Sequence, residues 1–289
     1  MSREKNNTKP IAVFDSGVGG LTVAAAIKRL LPNESIIYLG DLLHLPYGSK
    51  STEAIIEFTD IAVDFLVNQD IKLLTIACNT STSVALDFIR SKVEIPVVGV
   101  IRPGAEAAVK ATKNNRIGVI GTKRTIESDA YKKEIEKVSA QTNRKIEVYQ
   151  KATPLLVPLI EEGWKDHFVT ELVLREYLNY FEDKKIDTLV LGCTHYPLIK
   201  NTIGSLMHDV KVVDSAETTS LKVKELLVEN KMLSEEEAEY DYSIYLTDYT
   251  DTFGELAKLI IGNGKNEIND KINIISLEFS RGKSSYNLI

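Results

Sequence analysis

The amino-acid sequence predicts an α/β protein with two pseudo-symmetric α/β domains, mostly parallel sheets and an active site in the cleft between the domains. Three observations support this prediction. Short runs rich in β-branched residues alternate with helix-compatible segments, as in βα units around a parallel sheet. The length of 289 residues corresponds to about two domains of average size. The segment around one cysteine weakly resembles the segment around the other, which indicates two related halves.

Ten strands and six helices are predicted in chain order. The strands are short apolar runs, at residues 11–14, 36–39, 73–77, 97–100, 117–120, 146–149, 189–191, 210–213, 243–246 and 272–277. The helices are expected in the longer segments between them, at residues 21–31, 52–67, 82–90, 125–138, 169–181 and 221–229.

The domain boundaries are predicted where the alternation of strand and helix is interrupted. The strand that ends at Val100 is followed by Pro103-Gly104, a pair that is typical of a turn between two elements of secondary structure. A second crossover is predicted near residues 206–210, and about eighty residues then remain to complete the first domain. The prediction is a discontinuous first domain of residues 1–101 plus 210–289 and a second domain of residues 102–209.

Composition excludes several classes of protein. With 44% hydrophobic and 26% charged residues, the chain has the composition of a globular protein rather than a disordered one. The net charge is −6 and the basic residues are scattered, so no nucleic-acid partner is expected. No apolar run reaches the roughly 20 residues of a membrane span, and no signal-type segment follows Met1. We expect a cytoplasmic protein without a membrane partner.

The two cysteines occupy equivalent places in the weak internal repeat. Residues 71–80 align without a gap to residues 186–195, which matches Cys78 with Cys193 at two strand ends. Ligands of parallel sheets bind at these ends, and a helix N-terminus there favours a thiolate. Either cysteine alone could be a small buried hydrophobic residue, but two matched ones favour a function. Zinc is disfavoured because Cys193 and His195 are only two apart and no CxxC pair exists, so no metal is predicted.

Three loops add candidate polar groups at the same edge of the sheets. After the first strand, Asp15 precedes a glycine-rich turn whose amides could face a small anion, although its spacing matches neither a dinucleotide loop nor a P-loop. The alternative is an ordinary turn in which Asp15 binds its own neighbouring amides. The loop around Tyr47 adds a hydroxyl and exposed amides. Glu161 and Glu162 end a short predicted helix, where paired acids usually face water.

Together these motifs resemble the bacterial glutamate racemases, from about residue 11 to about residue 260. The matching motifs are Asp15-Ser16-Gly17-Val18-Gly19-Gly20, Pro46-Tyr47-Gly48, Cys78-Asn79-Thr80, Pro158-Leu159-Ile160-Glu161 and Gly192-Cys193-Thr194-His195-Tyr196-Pro197-Leu198. The resemblance implies interconversion of L-glutamate and D-glutamate for peptidoglycan synthesis, without a cofactor or metal, by a homodimer. The tail from Ile261 onward has no matching motif.

The resemblance also implies roles for individual residues. Cys78 and Cys193 would be the acid and base on opposite faces of the substrate, with Asp15 assisting the first thiol. Glu161 and His195 would assist the second, although the sequence alone does not favour Glu161 over Glu162. The implied substrate-binding residues are Asp15, Ser16, Pro46, Tyr47, Gly48, Cys78, Asn79, Thr80, Cys193, Thr194 and His195.

Three other functions remain open from the sequence. A related racemase could use the same pair of thiols on aspartate, and an assay of both amino acids would separate the two. A hydrolase with one cysteine nucleophile and His195 as base would not need the second cysteine. A binding protein would hold glutamate and leave its stereochemistry unchanged.

Overall fold

The computed structural model describes residues 7–236, 238 and 242–262, together with the backbone of two strands at 271–280 and 283–288. Its strands, β1 to β11, are Ile11–Asp15, Ile36–Gly40, Leu73–Ile76, Val97–Gly99, Arg116–Gly121, Glu147–Ala152, Thr188–Gly192, Lys211–Asp214, Tyr242–Leu246, Lys271–Ser280 and Lys283–Leu288. Its α-helices, α1 to α11, are Leu21–Leu30, Thr52–Val67, Asn79–Lys92, Ile101–Ala111, Lys123–Glu127, Ala130–Ala140, Leu156–Glu161, Phe168–Leu178, Lys200–Leu206, Ser215–Glu229 and Asp251–Ile261.

The described strands form two separate sheets. The first has the order β11-β10-β9-β2-β1-β3-β4, and all its neighbours are parallel except the β10–β11 pair. The second has the order β6-β5-β7-β8 and is parallel throughout. The predicted fold class of two α/β halves with mostly parallel sheets is therefore confirmed.

The central strands are buried along their whole length. Every residue of β1, β2, β3 and β7 is buried, because helices cover both faces of each sheet. This explains why these strands are continuous apolar runs rather than alternating ones. Parallel strands also direct their carboxyl ends to one edge of a sheet, which is where the candidate site lies.

The chain passes between the sheets at places that differ slightly from the predicted boundaries. Pro103 lies in the first turn of α4, where its missing N–H costs no helical hydrogen bond, so the Pro-Gly pair does not separate elements. Strand β8 pairs with β7 in the second sheet, whereas a boundary at residue 210 would assign it to the first half. The chain returns to the first sheet only after β8. As a division into domains, the two residue ranges stay a prediction.

One predicted helix is two helices in the structure. The segment 125–138 contains the end of α5 and most of α6, and Asp129 between them has a left-handed backbone with φ 55°. A left-handed residue cannot continue a right-handed helix, so the chain turns there. No helix within the described ranges is long and apolar enough to span a membrane.

Candidate active site

A cavity of about 360 Å³ lies where the carboxyl ends of strands from both sheets meet. Both cysteines line this single cavity. The other residues of its wall follow β1, β2, β3, β5, β6 and β7, and are Ser16, Leu45, Pro46, Tyr47, Gly48, Ser49, Asn79, Thr80, Thr122, Lys123, Thr153, Pro154, Val157, Pro158, Glu161, Thr194 and His195. The cleft predicted between the two halves is thus present as a cavity, and one thiol reaches it from the strand ends of each sheet.

Cys78 is held at the start of α3. Its sulfur accepts a hydrogen bond from the backbone N–H of Ser81, over 3.4 Å, so Cys78 caps the helix. The hydroxyl of Ser16 lies 3.4 Å from the same sulfur. Burial and the nearby charge of Asp15 raise the pKa of Cys78 to about 11, although the hydrogen bonds from Ser16 and Ser81 oppose this. Cys78 is therefore a thiol at neutral pH.

Asp15 lies behind the cavity wall rather than on it. Its carboxylate is fully buried and accepts hydrogen bonds from the N–H groups of Gly17 (3.1 Å) and Gly20 (3.0 Å). The Thr194 hydroxyl donates to its other oxygen over 3.4 Å. Burial raises the pKa of Asp15 to about 6, against the opposing effect of His195 and these hydrogen bonds. The amides of Gly17 and Gly20 thus bind Asp15, which is the ordinary turn that the sequence left open.

Cys193 belongs to a chain of three polar side chains. Its sulfur lies 3.7 Å from Nδ1 of His195, and Nε2 of His195 lies 3.0 Å from Oε1 of Glu161. Burial lowers the pKa of His195, but its hydrogen bonds to Cys193 and Glu161 outweigh this and raise the pKa to about 10. The imidazole is therefore a cation at neutral pH, placed between a sulfur and a carboxylate.

The structure distinguishes the two acids that the sequence could not. Glu161 is the last residue of α7 and contacts His195, while Glu162 is exposed one position further along the chain. Successive residues of a helix point about 100° apart, so only one of the two can face the cavity.

The remaining predicted binding residues line the cavity, with one change in the chemistry they offer. Tyr47 contributes to the wall, but its hydroxyl donates to a carboxylate oxygen of Asp41 over 2.6 Å. The hydroxyl proton is therefore already used, and the group can offer a substrate only an acceptor. The hydroxyls of Thr80 and Thr122 lie 3.0 Å apart and connect the two sides of the wall.

Several wall residues were not predicted from the sequence. Thr122 and Thr153 follow β5 and β6 directly, so the same strand-end rule that selected the cysteines also applies to them. Lys123 also lines the cavity, but its side chain is mostly exposed and its ammonium lies 3.7 Å from Glu127; no local motif marks it. Across the described ranges, no cluster of three or more His, Cys, Asp or Glu side chains is arranged to hold a metal ion.

Fold and site define an α/β protein whose interdomain cleft holds a matched pair of thiols. The family model described as Asp/Glu/Hydantoin racemase matches residues 20–220, so the chain belongs to that family. The glutamate racemase of Persephonella marina is 46% identical over 253 residues, which are 88% of this chain and 93% of the relative. That of Geobacter metallireducens is 44% identical over 261 residues, 90% of this chain and 95% of the relative.

Solved structures give the same result. The glutamate racemase of Francisella tularensis in complex with D-glutamate aligns with a TM-score of 0.85 and 39% identity, and covers 93% of this chain and 98% of its own. The predicted resemblance to glutamate racemases is confirmed, as is the prediction of an amino-acid isomerase.

Proposed function

We propose that this protein interconverts L-glutamate and D-glutamate without a cofactor, with Cys78 and Cys193 acting on opposite faces of the α-carbon. The observation that carries the proposal is that the two sulfurs, from equivalent strand ends of two sheets, line one cavity. Inversion at a carbon requires a base on one face and an acid on the other, and two thiols in one cavity can supply both.

The two thiols have different surroundings. Cys78 is a neutral thiol beside the buried Asp15, while the sulfur of Cys193 lies 3.7 Å from the imidazole of His195, whose cationic form can pair with a thiolate. In one direction the Cys193 thiolate takes the α-proton, and the C–H electron pair stays on the substrate. The Cys78 thiol then gives its proton to the other face, which leaves Cys78 as thiolate and Cys193 as thiol. The other direction is the reverse.

The difficult step is removal of a proton from carbon, because the α-proton is far less acidic than a thiol. The site must therefore stabilise the negative charge that develops on the substrate carboxylate, with donors that are already in place. The imidazolium of His195 and the hydroxyls along the wall can contribute this stabilisation. Asp15 and Glu161 would act through their neighbours rather than on the substrate.

Glutamate is the proposed substrate because proteins that are similar to this chain over almost its full length are glutamate racemases. The structure of one of them was solved in complex with D-glutamate. Supply of D-glutamate for peptidoglycan in the cytoplasm is part of the same proposal. The homodimer that the resemblance implies stays a prediction. Equal turnover of L-aspartate in the purified protein would contradict the choice of substrate.

The test compares Cys78→Ala with Cys193→Ala. Each variant should lose racemisation by at least about a thousandfold, because one of the two proton transfers has no group left to perform it. In D₂O, each variant should still exchange the α-proton of one enantiomer, and the two variants should exchange opposite enantiomers. Thermal unfolding close to that of the unmodified protein shows that the fold is retained.

Isotope incorporation in the unmodified protein gives a second readout. In D₂O the product should acquire deuterium at the α-carbon, while the unreacted substrate initially keeps its hydrogen. Early exchange into unreacted substrate would indicate one base that serves both faces. Full racemase activity in either alanine variant would exclude the two-thiol mechanism.

A further inference from the structure

A residue outside both cysteine motifs joins the Cys78 motif to the second half of the molecule. Tyr131 lies at the start of α6 in the second half, and its hydroxyl donates to Oδ1 of Asn79 over 2.7 Å. Asn79 directly follows Cys78 and lines the cavity. The hydroxyls of Thr80 and Thr122, 3.0 Å apart, and the 3.4 Å hydrogen bond from Thr194 to Asp15 also connect the two halves.

The ring of Tyr131 also contacts the second cysteine motif. It is fully buried, and a Cβ atom on Gly192 would stand 3.1 Å from its Cε2 atom. Gly192 precedes Cys193, so one aromatic side chain packs beside one thiol and bonds the neighbour of the other. Burial, together with the charges of Cys193 and Asp214, raises the pKa of Tyr131, so its hydroxyl keeps its proton and remains a donor.

The other end of the Asn79 amide is left without a partner. Its Nδ2 atom is buried, and no acceptor for it exists among the described residues. A buried donor without an acceptor is unfavourable, and native proteins seldom keep one unless a ligand or water completes it. Because Tyr131 occupies the carbonyl oxygen, the amide has a donor rather than an acceptor to offer to the cavity.

We propose that Tyr131 is a positioning residue, which fixes the Asn79 amide so that Nδ2 donates to a carboxylate of the bound amino acid. This inference rests on the proposed function. Without the tyrosine hydroxyl, Oδ1 would lose its donor and the amide would be free to rotate. The carbonyl oxygen would then face the substrate carboxylate, and repulsion would replace a hydrogen bond.

The test is Tyr131→Phe, which keeps the buried ring and removes the hydroxyl. We expect KM to rise about tenfold for both enantiomers, the effect of one hydrogen bond to a charged group, while kcat changes by less than about threefold. The matched control is Tyr180→Phe, at a partly exposed tyrosine outside the cavity wall, which should leave both constants unchanged. A purely structural role for Tyr131 would lower thermal stability without this separation of KM from kcat.

A double-mutant comparison tests whether Tyr131 acts through Asn79. In an Asn79→Ala background, Tyr131→Phe should raise KM by no more than about twofold further, because the amide it orients is gone. Multiplicative effects of the two substitutions, or an unchanged KM in Tyr131→Phe, would overturn the proposal.

A second variant covers the case in which Tyr131→Phe does not fold. Asn79→Asp keeps an acceptor for the Tyr131 hydroxyl but replaces the amide donor with an oxygen, so KM should rise at least as much. A KM like that of the unmodified protein in Asn79→Asp would overturn the proposal. Absence of racemisation in the unmodified protein is a different result, because it contradicts the proposed function before any variant is compared.

Discussion

Each half of the cavity has one thiol, and the two thiols lie at the ends of equivalent strands. The groups that surround the two thiols are different. Cys78 has hydroxyl and amide donors at 3.4 Å, and its nearby carboxylate is buried and held by glycine amides. Cys193 has an imidazole at 3.7 Å, which a second carboxylate holds from behind. The position in the fold is shared, whereas the electrostatic surroundings are not.

This difference shows how one fold can prepare an acid and a base from the same kind of residue. Burial and the nearby charge of Asp15 raise the pKa of Cys78 to about 11, although its neutral donors oppose this. On the other side the nearest group is the imidazole of His195, whose pKa is raised to about 10 by its hydrogen bonds to Cys193 and Glu161. Under the proposed mechanism, the free protein is therefore ready to react with the enantiomer whose α-proton faces Cys193.

The largest expected effect comes from removing the cation on the Cys193 side. His195→Asn can keep a polar atom near Nδ1 but has no charge, so kcat/KM should fall by about a hundredfold to a thousandfold. The α-deuterium isotope effect should rise for the enantiomer that Cys78→Ala exchanges, because proton transfer to Cys193 becomes slower. Steady-state rates with protiated and deuterated glutamate measure both quantities. A rate near that of the unmodified protein would remove the electrostatic distinction between the two halves.

A smaller effect is expected from Glu161→Gln, with Glu162→Gln as the matched control. Loss of the Glu161 charge lowers the pKa of His195, so kcat/KM at neutral pH should fall about tenfold. The exposed Glu162 does not contact His195, and its substitution should change kcat/KM little. An equal or larger effect of Glu162→Gln would contradict the assignment of Glu161.

The pH dependence of the same pair has a definite sign. The folded pKa of His195, about 10, lies above its ordinary value of 6.5. The stability that this shift contributes is therefore complete below about pH 6.5 and is lost as the pH rises through about 10. In Glu161→Gln the folded pKa is lower, so the loss should be complete at a lower pH, and the alkaline limb of the kcat/KM profile should move the same way. Unfolding measured from pH 6 to pH 10 would check this shift, which should be on the order of one pH unit.

The smallest effect is expected on the Cys78 side. Ser16→Ala removes one of the donors near the sulfur, while the Ser81 N–H remains, so kcat/KM should fall only about threefold to tenfold. The isotope effect should rise for the enantiomer that Cys193→Ala exchanges, opposite to the His195 variant. Ser91→Ala, on the exposed part of α3, is the control. The same enantiomer responding to both variants would mean that the two thiols do not divide the work as proposed.

Much of the fold and part of the site could be predicted because the signals are local. Apolar runs such as that of β1 mark buried strands, and a cysteine directly after β3 or β7 must lie at the carboxyl edge of a parallel sheet. The helix predicted over 125–138 is interrupted at Asp129, and the boundary at residue 210, which stays a prediction, separates β8 from its partner strand β7. Both depend on pairing or backbone conformation that no short sequence pattern marks.

By itself, the order of residues determined two parallel sheets, a thiol at the end of one strand in each, and the loops beside them. The tertiary structure decided that Asp15 binds Gly17 and Gly20, that Tyr47 gives its hydroxyl to Asp41, and that Tyr131 reaches Asn79. The physical reason is range. Strand and helix periodicities act over a few residues, whereas the partner of a buried polar group is set by chain segments that meet only on folding.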